Sequence, residues 1–358
     1  MKNPLNKRLP RELKGDIGKY IVIFIFLVAT IGVVSGFLVA GTSMETAFDE
    51  SFDKNNIEDG NFVLESKMTD DLKTKLEDED LTLYDNFYKE ETYKSSTYRI
   101  YKMRNDVDKI ELFDGEFPKA DNEIALDRLF SENNDIKIGD KVTLDGKEYK
   151  VSGYVAFSDY TSLFKSNTDM MFDSVNFGVA MGTKEEFKTL SEKSLTYNYA
   201  WTYNAGDPAD DIEEKKWSDD LMDTVVDAAG EGGGATMLGS MLGVLNMDNG
   251  IDDYVPRYAN QAMNFAGDDL GSDRGSMLAF LYILIAVLAF IFGVTISHTI
   301  TKESTVIGTL RASGYTKGEL FRHYLAMPVI VTLIAAVIGN ILGYSYMKQV
   351  IADLYYSS

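Results

Sequence analysis

The residues that could do chemistry in this chain are few and badly spaced for it. There are two histidines, His298 and His323, and no cysteine. Both histidines sit at the ends of apolar runs, so a Ser-His-Asp triad has no histidine to draw on between residues 41 and 276. The lack of cysteine excludes disulfides, thiolate metal sites and a Cys nucleophile. Gly230–Gly234 followed by Ala235-Thr236 looks like a phosphate loop, but such a loop needs a lysine to meet the β- and γ-phosphates. No lysine occurs between Lys216 and Lys302, which leaves a flexible loop. Asp248, Asn249, Gly250, Asp252 and Asp253 resemble part of a calcium loop, but the twelfth position from Asp248 is Ala259, not an acid. A solvated turn is the better reading. Carboxylate pairs are abundant in a chain this acidic, and their abundance says nothing about catalysis. The chain therefore reads as a non-catalytic subunit with no cofactor and no metal. Any ATP hydrolysis is expected on a separate chain.

The elements around these residues are organised by three apolar runs. Tyr20–Ala40, Met277–Ser297 and Leu325–Tyr344 contain no charged residue. Each is about the 20 residues that a helix rising roughly 1.5 Å per residue needs to cross a bilayer core. The mean hydropathy of -0.14 hides them, because the rest of the chain is strongly polar. The formal net charge is -21. Residues 41–276 hold 51 Asp/Glu against 24 Lys/Arg, a net of 24 − 51 = -27. An acidic domain of this size is a poor partner for nucleic acid, whose phosphates need Lys and Arg.

The fold class expected is an α-helical membrane protein with an inserted α+β extracytoplasmic domain and three transmembrane helices. Residues 1–19 are expected to form a cytoplasmic amphipathic helix lying at the lipid interface, with Leu5, Leu9, Leu13 and Ile17 on one face among six Lys/Arg. Pro10 and Gly15 weaken it. Residues 20–40 form the first span, 41–276 the acidic domain, 277–298 the second span, 299–324 a cytoplasmic loop, 325–344 the third span and 345–358 a short tail. The basic N-terminal segment and the basic 299–324 loop put both in the cytoplasm and the acidic domain outside, in a multi-pass protein of the cell membrane. Gly32, Gly36 and Ala40 on the first span, and Ala335, Gly339 and Gly343 on the third, form small-residue faces that let helices approach closely, within the chain or across a second copy. No Asp, Glu, Lys or Arg lies within the spans, which argues against an ion-coupled transporter or channel.

Within the acidic domain, period-2 alternation predicts strands at 61–65, 81–87, 98–103, 109–113, 123–126, 140–144, 148–155, 176–181 and 197–203. Asp145-Gly146 predicts a tight hairpin. Residues 183–193 read as a helix opened by a Thr cap, and 254–265 as a helix leading back to the membrane. Residues 206–243 read as a helix followed by a flexible loop.

Two segments resemble a known family. ITKESTVIGTLRASGYTKGELFRHYLAMPVIVTLIAAVIGNILGY is similar to the carboxyl-side domain of FtsX-like permeases, the MacB type of ABC transporter subunit. Glu303, Ile307, Gly308, Leu310, Arg311, Ala312 and Gly314 fall on its pattern, followed by Gly339 and Gly343. GEFPKADNEIALDRLF…IKIGDKVTLDGKEYKVSGYV resembles the MacB-like extracytoplasmic core domain through Gly115, Pro118, Asn122-Glu123-Ile124, Gly139-Asp140, Val151 and Gly153. The family places an acid early in the third span, where this chain has Leu325-Ala326-Met327-Pro328. It also has a fourth span, so the chain is expected to be a fragment or half of a longer permease. The resemblance implies that Glu303, Ile307, Gly308, Leu310, Arg311, Gly314 and Tyr315 dock on an ABC ATPase subunit carried by a separate chain. It also implies a second permease copy or half as partner, lipid contact, and export, extraction or sensing of a peptide or lipoprotein. The competing reading is a membrane-anchored receptor or regulatory adaptor, for example of cell-wall hydrolases, without transport.

Overall fold

The computed structural model describes residues 8–190, 192–229 and 250–356. The chain divides into two compact units, Phe48–Asp268 and Met1–Ala47 with Asp269–Ser358. The glycine-rich segment 230–243, together with Leu5, Asp248 and Asn249, lies outside the described residues.

The unit Phe48–Asp268 is built on a mixed sheet. Its strands are β1 (Gly60–Leu64), β2 (Leu81–Asp85), β3 (Tyr88–Tyr93), β4 (Ser96–Lys102), β5 (Ile110–Gly115), β6 (Glu123–Asp127), β7 (Lys141–Leu144), β8 (Lys147–Phe157), β9 (Phe177–Gly182), β10 (Leu195–Tyr203) and β11 (Ile251–Pro256). The order is β11-β1-β10-β3-β4-β9-β6-β8-β5, with β2 also on β10 and β7 on β8. β4 runs parallel to β9 and β6 parallel to β8, while the other pairs are antiparallel. Strand β8 shows the period-2 rule plainly: Tyr149, Val151, Gly153, Val155 and Phe157 are buried, and Lys150 and Ala156 between them are exposed. Asp145 and Gly146 turn β7 into β8 with φ of 47° and 75°, the left-handed pair that a two-residue hairpin needs.

Two apolar cores hold the sheet. One gathers Leu126, Phe130, Val151, Val155, Val179 and Ala180 under β6, β8 and β9. The other is aromatic: Trp201 is fully buried, with Tyr254 stacked at 5.2 Å and Phe62 stacked on Tyr199 at 5.6 Å. Gly60 is small because a Cβ there would come within 2.3 Å of the Trp201 ring. Three short helices pack locally. Asp70–Glu77 is capped by Thr69 and buries Leu72 and Leu76. Arg128–Asn133 is capped by Asp127, and Lys184–Thr189 by Thr183.

The structure corrects one expectation. Residues 254–256 are strand and only the chain from Gln261 is long helix. Tyr254 pairs with Phe62 across β1 and β11 and joins the aromatic core, a tertiary gain that outweighs local helical periodicity. Strand β3 and the helix Asp70–Glu77 have no counterpart among the sequence expectations. The alternation of β3 is inverted by Lys89, which is 1% exposed and donates to the Leu190 carbonyl at 2.7 Å and to Glu192 at 3.0 Å.

The other unit is helical. Its elements are α1 (Leu9–Gly15), the long helix Ile17–Asn55, the long helix Gln261–Lys302, a short helix Ser304–Ala312, the helix Lys317–Leu342, a π turn Gly343–Met347 and a last helix Lys348–Tyr356. Three stretches, Ile17–Asn55, Gln261–Lys302 and Lys317–Tyr355, are long and apolar enough to cross a membrane. Residues 345–356, read from the sequence as a tail, are helical. Gly15 ends α1, and Asp16 separates it from the first long helix.

Candidate functional site

The predicted coupling residues fall on the short helix Ser304–Ala312 and its two ends. Glu303 occupies the N-cap, with backbone angles of -99° and 17°, and its side chain makes no capping bond. Its Oε2 instead accepts from the Tyr324 hydroxyl at 2.7 Å and from Arg8 Nη2 at 3.4 Å. One carboxylate thus ties the segment before the first long helix, the short helix and the start of the third span together. Beside it, Asp16 pairs with Lys19 at 3.1 Å and Lys302 at 3.6 Å. The Lys19 hydrogen bond, followed by its charge and that of Lys302, holds the Asp16 carboxyl below the usual range.

The far end of the helix is closed by Gly314. It adopts φ of 97°, its N–H donates to the Arg311 carbonyl at 3.1 Å, and the Tyr315 N–H donates to the Leu310 carbonyl at 3.2 Å. These two bonds form a Schellman stop, which uses a left-handed residue after the helix and is therefore easiest for glycine. One residue later Thr316 opens the next helix in a capping box: its hydroxyl accepts from the Glu319 N–H, while Glu319 accepts from the Thr316 N–H at 2.8 Å. Helix stop and helix start are separated by Gly314 and Tyr315 alone, so both ends of the elbow are specified by hydrogen bonds. Arg311 Nη1 reaches the Tyr315 carbonyl at 3.3 Å and is otherwise exposed. Ile307 and Leu310 are half-buried, Val306 is exposed, and a Cβ at Gly308 would meet nothing within 4 Å. Among the described residues nothing requires glycine at 308.

The second predicted set forms a seam. A Cβ on Gly343 would stand 2.8 Å from the Gly32 carbonyl and from Ser35 Cβ, and one on Gly36 would stand 2.5 Å from Met347 Cβ. Gly339 lies against Ile31, and Ala335 is fully buried beside Ile23 and Leu27. The structure thus brings Gly32, Gly36, Ala335, Gly339 and Gly343 together inside one chain. Ala40 is also buried. Ser35 Oγ donates to Asn340 Oδ1 at 3.0 Å, a polar clasp between the first and third long helices.

Sequence reasoning missed Arg8, Tyr324 and Asn340. Arg8 and Glu303 are 295 residues apart, so no local pattern joins them. The Thr316-x-x-Glu319 spacing, not singled out from the sequence, is the signal that could have announced this helix start. His323 is buried and borders a small cleft of about 20 Å³ shared with Asp16, Tyr20, Glu303 and Tyr324.

Residues 278–358 match the FtsX-like permease C-terminal family. The match covers 81 of the chain's 358 residues and supports an ABC transporter permease subunit. All seven residues expected from the sequence to couple to an ATPase, with Ala335, Gly339 and Gly343, lie inside this matched segment; Gly32, Gly36 and Ala40 lie outside it. Comparison with curated proteins gave no match. Among solved structures, the chain is similar to the extracellular domain of the noncanonic ABC-type transporter YknZ from Gram-positive bacteria, at 13% identity and a TM-score of 0.27, covering 54% of this chain and 100% of that one. It is also similar to the periplasmic region of MacB from Actinobacillus actinomycetemcomitans, at 11% identity and a TM-score of 0.28, covering 55% and 90%.

Proposed function

We propose that the chain is a permease subunit that transmits the movement of a partner ABC ATPase to its acidic domain, in the service of exporting, extracting or sensing a peptide or lipoprotein. The N-terminus and the helix Ser304–Ala312 face the cytoplasm, Phe48–Asp268 faces outward, and the short helix is the ATPase contact. The observation that carries this reading is the elbow itself. A nine-residue helix with fixed ends stands between two helices long and apolar enough to cross a membrane, and offers Val306, Gly308 and Arg311 outward. A re-entry turn would need only about 2–8 residues and no such helix. The open side of Gly308 suits close approach by another backbone. Glu303, tied to Tyr324 and Arg8, would pass displacement of the short helix to the first and third spans.

The reading is tested in cells by a photo-crosslinking residue in place of Val306. An ABC ATPase is expected in the adduct, and Leu310→Asp combined with Arg311→Glu is expected to abolish it. Undiminished ATPase retention by the double variant removes Leu310 and Arg311 from the contact and sinks the coupling role of the short helix, and absence of any ABC ATPase from the adduct favours a receptor or adaptor without transport.

A further inference from the structure

The Phe48–Asp268 unit contains a cavity of about 370 Å³, within the usual range for small-ligand sites. Glu58, Asn61, Tyr88, Asp169, Asn198 and Asp253 are among the residues that line it. Glu58 is 2% exposed and Asn198 is 6% exposed; Asn198 Oδ1 has no hydrogen-bond partner, while the Glu58 carboxyl accepts from Asn61 at 2.5 Å and shares a hydrogen bond with the Asp108 carboxyl behind it. A buried acceptor left unpaired is costly and uncommon, so Asn198 on this cavity wall needs a reason.

The charge around the cavity points the same way. Behind Glu58 lie Asp108 and Asp159, and the cation serving this buried group is Arg104. Arg104 is committed to Asp159 through two bonds of 2.9 and 2.6 Å, and reaches Asp108 only at 3.7 Å. Three carboxyls therefore share one guanidinium. Burial, then the charges of Asp108 and Asp159, raise the pKa of Glu58 well above the usual carboxylate range, as befits an acid short of positive charge. The two cations of the cavity wall are already engaged. Arg99 donates to Glu90 at 3.0 and 2.7 Å, to the Tyr160 hydroxyl at 2.7 Å and to the Lys165 carbonyl at 2.8 Å. Lys165 Nζ lies 3.8 Å from Glu90 and 3.4 Å from Thr97 Oγ1. Glu58 and Asp169 make no ion pair with these wall cations, and Asp253 feels the charge of Arg99 without a salt bridge to it. Among the described residues no three His, Cys, Asp or Glu side chains converge as a metal site, which favours an organic cation over an ion. The ring of Tyr88 adds an aromatic wall of the kind that cations seek.

We propose that this cavity binds a small organic cation, a guanidine or primary amine, whose N–H groups are accepted by Glu58 and Asn198, with Asp253 adding negative charge at the exposed margin. Occupancy supplies the orphan Asn198 acceptor with a donor and gives the three buried carboxyls a second cation. The site needs nothing from the coupling helix, so it stands or falls separately from the ATPase reading.

The test uses the full chain in detergent, with 1-butylguanidine as probe and 1-butylurea as its neutral counterpart of the same shape. Calorimetric titration is expected to show saturable binding of the guanidine and at least about tenfold weaker binding of the urea, since a charge-assisted bond is roughly twice as strong as a neutral one. Glu58→Gln is expected to weaken guanidine binding about tenfold with the near-ultraviolet dichroism unchanged. Asp253→Asn, at an exposed position that does not threaten folding, is expected to weaken it about threefold at low salt. Absence of saturable guanidine binding overturns the proposal, as does equal binding of urea and guanidine. A folded Glu58→Gln chain with undiminished affinity overturns it as well. Should Glu58→Gln fail to fold, undiminished affinity in Asp253→Asn does so instead.

Discussion

The two units use apolar side chains in opposite ways. In Phe48–Asp268 the large apolar residues turn inward: Trp201, Phe62, Phe130 and Phe177 are all within 2% of complete burial. In the helical unit the large apolar residues turn outward. Phe290 is 72% exposed, Ile283 61% and Val337 61%, and no residue of the most apolar stretch of Gln261–Lys302 is buried. Where the helices approach most closely the residues are small, Gly32, Gly36, Ala335, Gly339 and Gly343, with only a few larger side chains such as Ile23 and Leu27 buried beside them. The difference follows from the solvent. In water, burying apolar area is the main driving force. Against lipid tails that force vanishes, and helices associate by close packing and hydrogen bonds such as Ser35 to Asn340.

The sharpest way to break this comparison is a matched pair of truncations. Trp201→Ala should cost about 3–5 kcal/mol by emptying a filled core, whereas Phe290→Ala should stay within about 0.5 kcal/mol, both measured by chemical unfolding of the full chain in detergent. Similar losses for the two would contradict the inward and outward assignment. Next in size is Gly343→Leu. Its side chain has no room against Gly32 and Ser35, and overpacking of this kind costs about 1–3 kcal/mol. The expected readout is loss of a disulfide formed between cysteines introduced at Ser35 and Asn340, with the near-ultraviolet signal of Trp201 retained.

A smaller effect concerns buried charge, which the sheet unit carries and the spans do not. Burial, reinforced by the Asp159 charge, pushes the Asp108 carboxyl up to about 7. An acid whose pKa is higher in the folded state than in the unfolded chain binds more protons when folded. Its contribution to stability therefore rises as pH falls from about 7 toward 4, and is lost as pH rises through that window. Asp108→Asn should flatten this part of the stability profile by about 1–2 kcal/mol between pH 7 and 5. An unchanged slope would remove Asp108 as its source.

Much of this arrangement was legible beforehand, for reasons that differ by element. The apolar runs show because a charge is too costly inside a bilayer to be scattered there. Strand β8 shows because one face is buried and the other wet. The Asp145-Gly146 turn shows because few residues accept two successive positive φ angles. Strand β3 did not show, because a buried Lys89 broke its alternation and was satisfied by the distant Leu190 carbonyl. Tyr254 was misread as helical because its partners, Phe62 and Trp201, are remote in the chain.

The candidate sites divide in the same way. Residue type and spacing alone determined the three apolar runs and the small faces of the first and third, since each depends on neighbours within a few turns. Only the tertiary structure decided that those faces meet each other, that Glu303 is held by Arg8 and Tyr324, and that Glu58 and Asn198 share a cavity. Those contacts join residues from 21 to 305 positions apart, and the free energy that selects them arises only when the chain has closed.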